Sequence, residues 1–230
     1  MGWIEIELRH GLLPLGSKTH RFLARQAIVD QMGKIHGYEL LYRSGPGNHF
    51  IGDSDLATRT MIDNCLLHGF EDLTGEARAF VNCTREALVE GFVTLLPSSR
   101  TVLELLETIE PDEEVIEACR SMKQIGYGIA LDDFQFSKKM EPLVELADYA
   151  KIDFRSERSQ RMMTLRQLEG SGVKLVAEKV ETEDELRIAF EEGCELFQGY
   201  LFGRPTVYSK CKSPINAEHN QRLLETLYES

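Results

Sequence analysis

The chain has 230 residues, more than one domain of roughly 150 residues but less than two, which argues against a repeat array or a multidomain assembly. Hydrophobic residues make up 42% and charged residues 28%, the composition of a globular protein with a real core rather than a disordered or fibrous one. Lys and Arg total 26 against 38 Asp and Glu, a formal charge of −12, and the order of residues contains no basic patch, so a nucleic-acid polymer is not an expected partner.

A small anionic ligand remains compatible with this charge if metal ions offset the carboxylates locally. The start, MGWIEIELRHGLLPLG, has no basic segment followed by a long apolar one, and no run reaches the roughly 18 apolar residues a spanning helix needs. The expectation is a cytoplasmic protein without a membrane segment. Cys65, Cys83, Cys119, Cys194 and Cys211 are odd in number and widely spaced, which suits reduced core thiols better than disulfides or zinc ligation.

In chain order, residues 1–21 read as an N-terminal extension. From residue 22 short apolar runs alternate with amphipathic stretches. The runs predict strands at Phe22–Val29, Ile35–Tyr42, Ala79–Asn82, Val102–Leu105, Gly128–Leu131, Tyr149–Ile152, Lys174–Ala177 and Leu196–Gly199. Between them, helices are predicted over Asp55–Leu67, from Pro111 as the first helical residue, over Ser156–Leu168 and from about Glu183. The Pro111 helix places Val115, Ile116, Cys119, Met122 and Ile125 on one face and stops at Gly126; the Glu183 helix turns Leu186, Ala189 and Phe190 inward and stops at Gly193. Residues 22–206 form the predicted domain, and residues 207–230 a C-terminal helix or linker with Leu223, Leu224 and Leu227 on it.

Alternating strands and helices specify parallel βα units, and eight strands favour a closed (β/α)8, TIM-like barrel of the α/β class over an open sheet. The first two strands are joined by only Asp30-Gln31-Met32-Gly33-Lys34, too short for a crossover helix, so one strand is expected to run antiparallel.

In such a barrel the active site lies at the carboxyl ends of the strands. The second run carries Glu39, Leu41 and Arg43, the third ends in Asn82, the fourth carries Glu104 and Glu107, and the fifth ends in Asp132-Asp133. Lys151 and Asp153 follow on the sixth, Glu178 and Glu181 on the seventh, and Gln198 on the eighth. A carboxylate ring with one Asn and no His suits hard divalent cations, which prefer oxygen ligands. An adjacent Asp pair can place one carboxylate between two ions, as in two-metal phosphodiester hydrolysis. Any single acidic residue after a strand is more simply a helix cap or a solvated side chain; the coincidence of so many is not. For Lys151 a structural ion pair, and for Gln198 a role in satisfying rim backbone groups, stay open on the residues alone.

These segments resemble the EAL domain, the bacterial cyclic di-GMP phosphodiesterase module. Glu39-Leu40-Leu41-Tyr42-Arg43 stands where that family has E-A-L-x-R, with Leu40 in place of the Ala. Further matches are Phe80-Val81-Asn82, Leu103-Glu104-Leu105, Ala130-Leu131-Asp132-Asp133-Phe134, Lys151-Ile152-Asp153, Ala177-Glu178-Lys179-Val180-Glu181 and Phe197-Gln198-Gly199. The resemblance implies binding of cyclic di-GMP and its hydrolysis to the linear dinucleotide with Mg²⁺ or Mn²⁺. By position, Glu39, Asn82, Glu104 and Asp132 bind a first metal, and Asp132 and Asp133 share a second. Lys151 and Glu178 position the water, with Glu39 and Asp133 also counted as catalytic. Arg43, Leu41, Gln198 and Asp153 face the ligand, Arg43 meeting a phosphate.

The loop after Phe134 departs from the family pattern. A Gly-Thr-Gly-like stretch is replaced by Gln135-Phe136-Ser137-Lys138-Lys139-Met140, so the usual loop geometry and part of the homodimer contact seen in active members are not expected, and Glu107 loses its family partner. Together with Glu141–Asp148 and Leu175–Glu181, this loop resembles the subgroup in which an EAL domain precedes an HDOD domain, many members of which are regarded as regulatory. The chain is then either an EAL-only protein or one part of a longer one. Two functions follow from the resemblance: a phosphodiesterase, or a degenerate domain that senses cyclic di-GMP or contacts a protein partner. A scaffold that binds no nucleotide is the third reading.

Overall fold

The computed structural model of the protein describes residues 22–43 and 54–207. The expected N-terminal extension, Cys211 and the C-terminal leucines lie outside the described residues.

Strand β1 (Phe22–Asp30) and strand β2 (Ile35–Arg43) form an antiparallel hairpin. Its turn is closed by Asp30, whose Oδ1 accepts from the backbone N–H of Met32 and of Lys34, each at 2.9 Å, with Gly33 at φ 72°. Five further strands follow, each parallel to the one before: β3 (Arg78–Cys83), β4 (Thr101–Leu105), β5 (Gly128–Leu131), β6 (Tyr149–Asp153) and β7 (Lys174–Glu178). The short β8 (Leu196–Phe197) pairs parallel with β7 and antiparallel with β1 at Val29 and Asp30, which closes the barrel. A two-residue β9 (Thr206–Val207) pairs with β1 at Ala24 and Arg25. The eight expected strands are therefore present, and β1 is the antiparallel one.

The connecting helices are α1 (Ser54–His68), α2 (Phe70–Thr74), α3 (Arg85–Val89), α4 (Glu113–Gln124), α5 (Glu141–Val144), α6 (Arg158–Leu168) and α7 (Glu183–Glu191). Helix α4 begins later than Pro111: Asp112 is its cap, and its Oδ1 accepts from Val115 N at 2.9 Å. The carboxylate satisfies an end N–H that proline would merely lack, so the cap sets the start. Val115, Cys119 and Met122 are buried as expected, but Ile125 is 53% exposed, because it follows the last helical turn and leaves the face. Helix α7 starts in a capping box between Thr182 and Glu185, worth about 1 kcal/mol, and Gly193 at φ 88° follows its end. No helix among the described residues is long and apolar enough to cross a membrane.

The core has two layers. Between strands and helices lies the larger one, with Leu40, Val81, Leu103, Leu131, Ile152 and Ala177 among its buried members. A smaller cluster plugs the barrel interior: Ile28, Phe80, Val102, Ala130, Tyr149, Val176 and Leu196. Room for that plug comes in part from Gly37, where a Cβ would stand 2.6 Å from the Phe80 ring. Because side chains alternate faces along a strand, the interior residue two positions beyond each plug member is fixed. Phe80 is followed by Asn82, Val102 by Glu104, Ala130 by Asp132, Tyr149 by Lys151, Val176 by Glu178 and Leu196 by Gln198. The plug thus forms the floor of a polar upper layer at the carboxyl ends of the parallel strands.

Candidate active site

Lys151 stands at the centre of that upper layer, with a side-chain exposure of 1%. Its Nζ lies 2.6 Å from Glu104 Oε1, 2.9 Å from Glu178 Oε1, 3.0 Å from Asp132 Oδ1 and 3.7 Å from Glu39 Oε2. Four carboxylates from β2, β4, the end of β5 and β7 therefore surround one ammonium on β6. Gln198 Nε2 donates to Glu39 Oε2 at 2.5 Å and to Gln26 Oε1 at 3.3 Å, and Asn82 Nδ2 reaches Glu39 Oε1 at 3.5 Å.

The backbone holds these groups in place. Asp132 N donates to Leu105 O at 3.0 Å and Phe134 N to Lys151 O at 2.8 Å, so the Asp pair is pinned between β4 and β6. Gln198 is fixed by Gln198 N to Ala177 O at 2.8 Å and Val180 N to Gln198 O at 3.1 Å. The next residue must be glycine: a Cβ on Gly199 would fall 2.0 Å from the Val180 carbonyl oxygen.

Enclosing this much charge shifts its titration. Burial, helped by Glu39 and Asp132, raises the Glu104 carboxyl well above the ordinary carboxylate range against the pull of Lys151. Burial likewise lifts Glu178 to about 8, again opposed by Lys151. Burial alone would lower the Lys151 ammonium, but Asp132, Glu104, Glu178 and Glu39 together outweigh it and hold the group charged well above its usual range.

The oxygen chemistry fits a hard divalent cation. Asn82 Oδ1, Glu104 Oε2 and Gln198 Oε1 are buried without a hydrogen-bond partner, an arrangement that costs stability unless something electropositive meets them. Asn82 and Glu104 are paired in register across β3 and β4, and Asn82 contacts Glu39. Among the described residues no three His, Cys, Asp or Glu side chains stand as a finished metal cage; one of the four expected donors is an amide, and the carboxylates are drawn toward Lys151.

A second charged cluster flanks the first. Lys179 Nζ donates to Asp133 Oδ1 at 2.9 Å and to Asp153 Oδ2 at 2.6 Å, and Arg155 pairs with Glu181. The two hydrogen-bonded carboxylates hold the Lys179 ammonium above its usual range, although burial opposes them. Asp153 also accepts from Arg155 N at 2.7 Å, so it orders the turn after β6. Leu41 is half-buried in the wall of the cleft above the ring. Strand β2 ends at Arg43, whose side chain lies outside the described residues. The cleft holds about 310 Å³ and is lined by Glu39, Asp132, Lys151, Glu178, Gln198 and Tyr200, among others.

The loop after Asp133 takes a course that needs no glycine. Of residues 132–140 only Asp133 has a positive φ, 40°. Phe136 N donates to Thr164 Oγ1 at 3.3 Å, Gln160 Nε2 to Gln135 Oε1 at 2.6 Å, and Lys139 pairs with Glu110 at 2.8 Å. Phe136 and Met140 pack on the core. The substituted residues therefore anchor the loop to α6 and to the loop after β4, while Glu107 is exposed beside a neighbouring cavity of about 490 Å³.

Gln26, Lys179 and Arg155 line the cleft without having been singled out from the sequence. Gln26 was readable in principle: β1 runs antiparallel, so its polar interior residue precedes its plug residue, Ile28. Lys179 and Arg155 carry no such signal, since a basic residue just after a strand is indistinguishable from a solvated one.

The EAL domain family profile matches residues 15–205, and the chain belongs to that family. It is 37% identical over 196 residues to the uncharacterized protein YuxH of Bacillus subtilis, covering 82% of this chain and 48% of YuxH. It is 35% identical over 192 residues to the cyclic di-GMP phosphodiesterase CdgJ of Vibrio cholerae, covering 81% of this chain and 44% of CdgJ. The chain thus spans about half the length of these relatives. Among solved structures, the Bacillus subtilis YkuI protein, crystallised with cyclic di-GMP and calcium, superposes with a TM-score of 0.71 at 20% identity over 90% of this chain and 61% of YkuI. At that identity the likeness bears on the fold, which is the EAL barrel.

Proposed function

We propose that this domain binds cyclic di-GMP and hydrolyses one of its phosphodiester bonds to the linear dinucleotide, with Mg²⁺ or Mn²⁺. The observation that carries the reading is the ring of Glu39, Glu104, Asp132 and Glu178 about the buried Lys151, with Asn82 against Glu39 and hard oxygens left unpaired on the Asn82–Glu104 side. A protein does not gather four carboxylates around one buried lysine for stability alone, since an apolar core of equal volume is as stable or more so. The phosphodiesterase name of CdgJ and the ligand in the YkuI structure support the same substrate.

In this reading Glu39, Asn82, Glu104 and Asp132 hold the first metal, with Asp133 beside it. A divalent cation held there would supply Lewis-acid activation of the phosphodiester and of the attacking water. Lys151 donates a hydrogen bond to the attacking water or to a non-bridging phosphate oxygen. Glu178, which contacts Lys151 Nζ at 2.9 Å and lines the cleft, is placed to exchange the proton. Water adds to phosphorus, the bond to the ribose oxygen breaks, and that oxygen leaves as a hydroxyl. Gln198 orients Glu39, and Leu41, Asp153 and the Arg43 side chain belong to the ligand side of the cleft. The greater length of the relatives supports a companion segment in a larger protein, for which an HDOD domain and a homodimer are the proposals, in the cytoplasm.

Turnover of cyclic di-GMP with Mg²⁺ or Mn²⁺, followed by separation of the linear product, tests the reading. Wild type is expected to turn over and Glu39→Gln to lose at least about 100-fold. Calorimetric binding followed by recovery of intact ligand at every metal concentration would instead assign a sensor.

A further inference from the structure

The ring about Lys151 accounts for one cation site, but the Asp pair invites a second, and the structure bears directly on it. Asp133 is the residue that would bring the second ion, and its Oδ1 is already bound by Lys179 Nζ at 2.9 Å. The same ammonium holds Asp153 Oδ2 at 2.6 Å. Asp133 and Asp153, on the far side of the site, are therefore bridged by one ammonium, while Glu181 nearby pairs with Arg155. On the near side the situation is the reverse, with Asn82 Oδ1 and Glu104 Oε2 buried and unpaired.

The bridge is built into the backbone. Asp133 and Lys179 are the two non-glycine described residues with positive φ, at 40° and 59°, a region that L side chains enter only where the surroundings enforce it. Each is followed by a residue whose N–H is anchored to a neighbouring segment, Phe134 to Lys151 O in β6 and Val180 to Gln198 O just past β8. Each is preceded by a ring residue, Asp132 and Glu178, that contacts Lys151. The two left-handed turns aim the side chains of 133 and 179 at each other across the mouth of the ring. An ordinary solvated lysine would not occupy a strained backbone position in order to reach two carboxylates.

We infer that the Lys179 ammonium takes the place of the second divalent cation beside Asp133, so that this domain carries one metal ion where its Asp132-Asp133 pair implies two. The inference rests on the metal-dependent reading of the ring. A divalent ion approaching Asp133 meets a like charge within hydrogen-bonding distance of its ligand, and it gains the site only by expelling that charge. Lys179 then offsets one of the two negative charges of Asp133 and Asp153 without a metal and presents an ammonium at the edge of the cleft that would hold the phosphates.

The test counts ions in the absence of nucleotide. Metal-free protein is titrated with Mn²⁺, and bound ions are measured by the loss of the free-ion electron paramagnetic resonance signal. The wild type is expected to bind one Mn²⁺ per chain with an isolated-ion spectrum. Lys179→Gly relieves the positive φ and removes the charge, and Lys179→Met removes the charge while keeping the stem. Both are expected to gain a second equivalent, with the broadened spectrum of a spin-coupled pair. Two coupled ions in wild type, or one ion in wild type and in both variants, overturns the assignment of Lys179 while leaving the metal-dependent reading intact. No bound ion in any of the three overturns that reading and this inference together.

Discussion

Lys151 Nζ and Glu104 Oε1 stand 2.6 Å apart with side-chain exposures of 1% and 0%, and three further carboxylates crowd the same ammonium. An ion cluster so enclosed cannot be dissected one charge at a time without leaving uncompensated charge in the interior. Lys151→Met is therefore expected to destabilise the metal-free protein by about 3 kcal/mol, the range for breaking a buried pair. Adding Glu104→Gln to Lys151→Met removes one of the stranded carboxyls and should recover part of that loss. Urea unfolding of the single and double variants gives the coupling. A cost below about 1 kcal/mol for Lys151→Met would mean that solvent screens the Lys151 ammonium as it does a surface ion pair.

Three glycines rank by what surrounds them. At Gly199 an added Cβ meets the fixed Val180 backbone at 2.0 Å, so Gly199→Ala must displace the turn that carries Gln198. At Gly37 it meets the Phe80 ring at 2.6 Å, a side chain that can shift at the expense of the interior plug. At Gly170 nothing lies within 4 Å, and only the backbone conformation, φ 78°, is strained. The expected losses in thermal or urea unfolding fall in that order, from above about 3 kcal/mol, through roughly 1–3, to about 1. An equal loss at all three positions would show that steric fit at Val180 does not hold the site together.

The barrel was legible because its strands obey one rule. From β3 to β8 every parallel run places an apolar plug residue two positions before a polar ring residue, so the period that identifies the strand also locates the candidate site; on β2 the residue two positions before Glu39 is Gly37. Ring members Asn82, Glu104, Asp132, Lys151, Glu178 and Gln198 fall on that rule, as do the strand bounds to within about two residues. What escaped falls outside it. Gln26 sits on the strand that runs the other way, where the order of plug and polar residue is inverted. Helices α2, α3 and α5, with 5, 5 and 4 residues, are too short to carry a helical period. Lys179 depends on a positive φ, which no residue type other than glycine announces, and the partnership with Asp133 spans 46 residues of chain. Ile125 had the right spacing for the core but came after the helix had ended.

Metal should stabilise the fold through the unpaired oxygens. A ligand bound only by the native state adds about 2.7 kcal/mol at 100 times its Kd, so saturating Mn²⁺ is expected to raise the thermal midpoint by several degrees, reversibly on addition of EDTA. Glu104→Gln keeps the volume of the side chain but gives up its charge, and Asn82→Ala removes the unpaired Oδ1. Both should fold, and both should need at least about 100-fold more Mn²⁺ for the same shift. An unchanged Mn²⁺ response in Asn82→Ala would remove Asn82 from the ligand set.

At the opposite end of the barrel His36 supplies a titration separate from the ring. Its Nε2 lies 3.0 Å from the Tyr149 hydroxyl and its ring packs edge-on to Tyr149, with centroids 5.6 Å apart. Burial, with the positive charges of Lys174 and Arg78 adding to it and Asp30 opposing, lowers the imidazole pKa below its ordinary 6.5. The native state therefore prefers neutral His36, while the unfolded chain takes up a proton near pH 6.5. The stabilising contribution is complete above that pH and is lost as the pH falls through the lower native value, because the unfolded state binds more protons there. Because the raised carboxyls of Glu104 and Glu178 favour the folded state on acidification, the His36 contribution is read as a difference: between pH 6.5 and pH 5 the urea midpoint of wild type should fall relative to that of His36→Gln, which cannot titrate, with the Mn²⁺ response the same in both. A wild-type midpoint that rises relative to that of His36→Gln over this interval would mean that the imidazole is charged in the folded barrel and that Asp30, rather than burial, governs it.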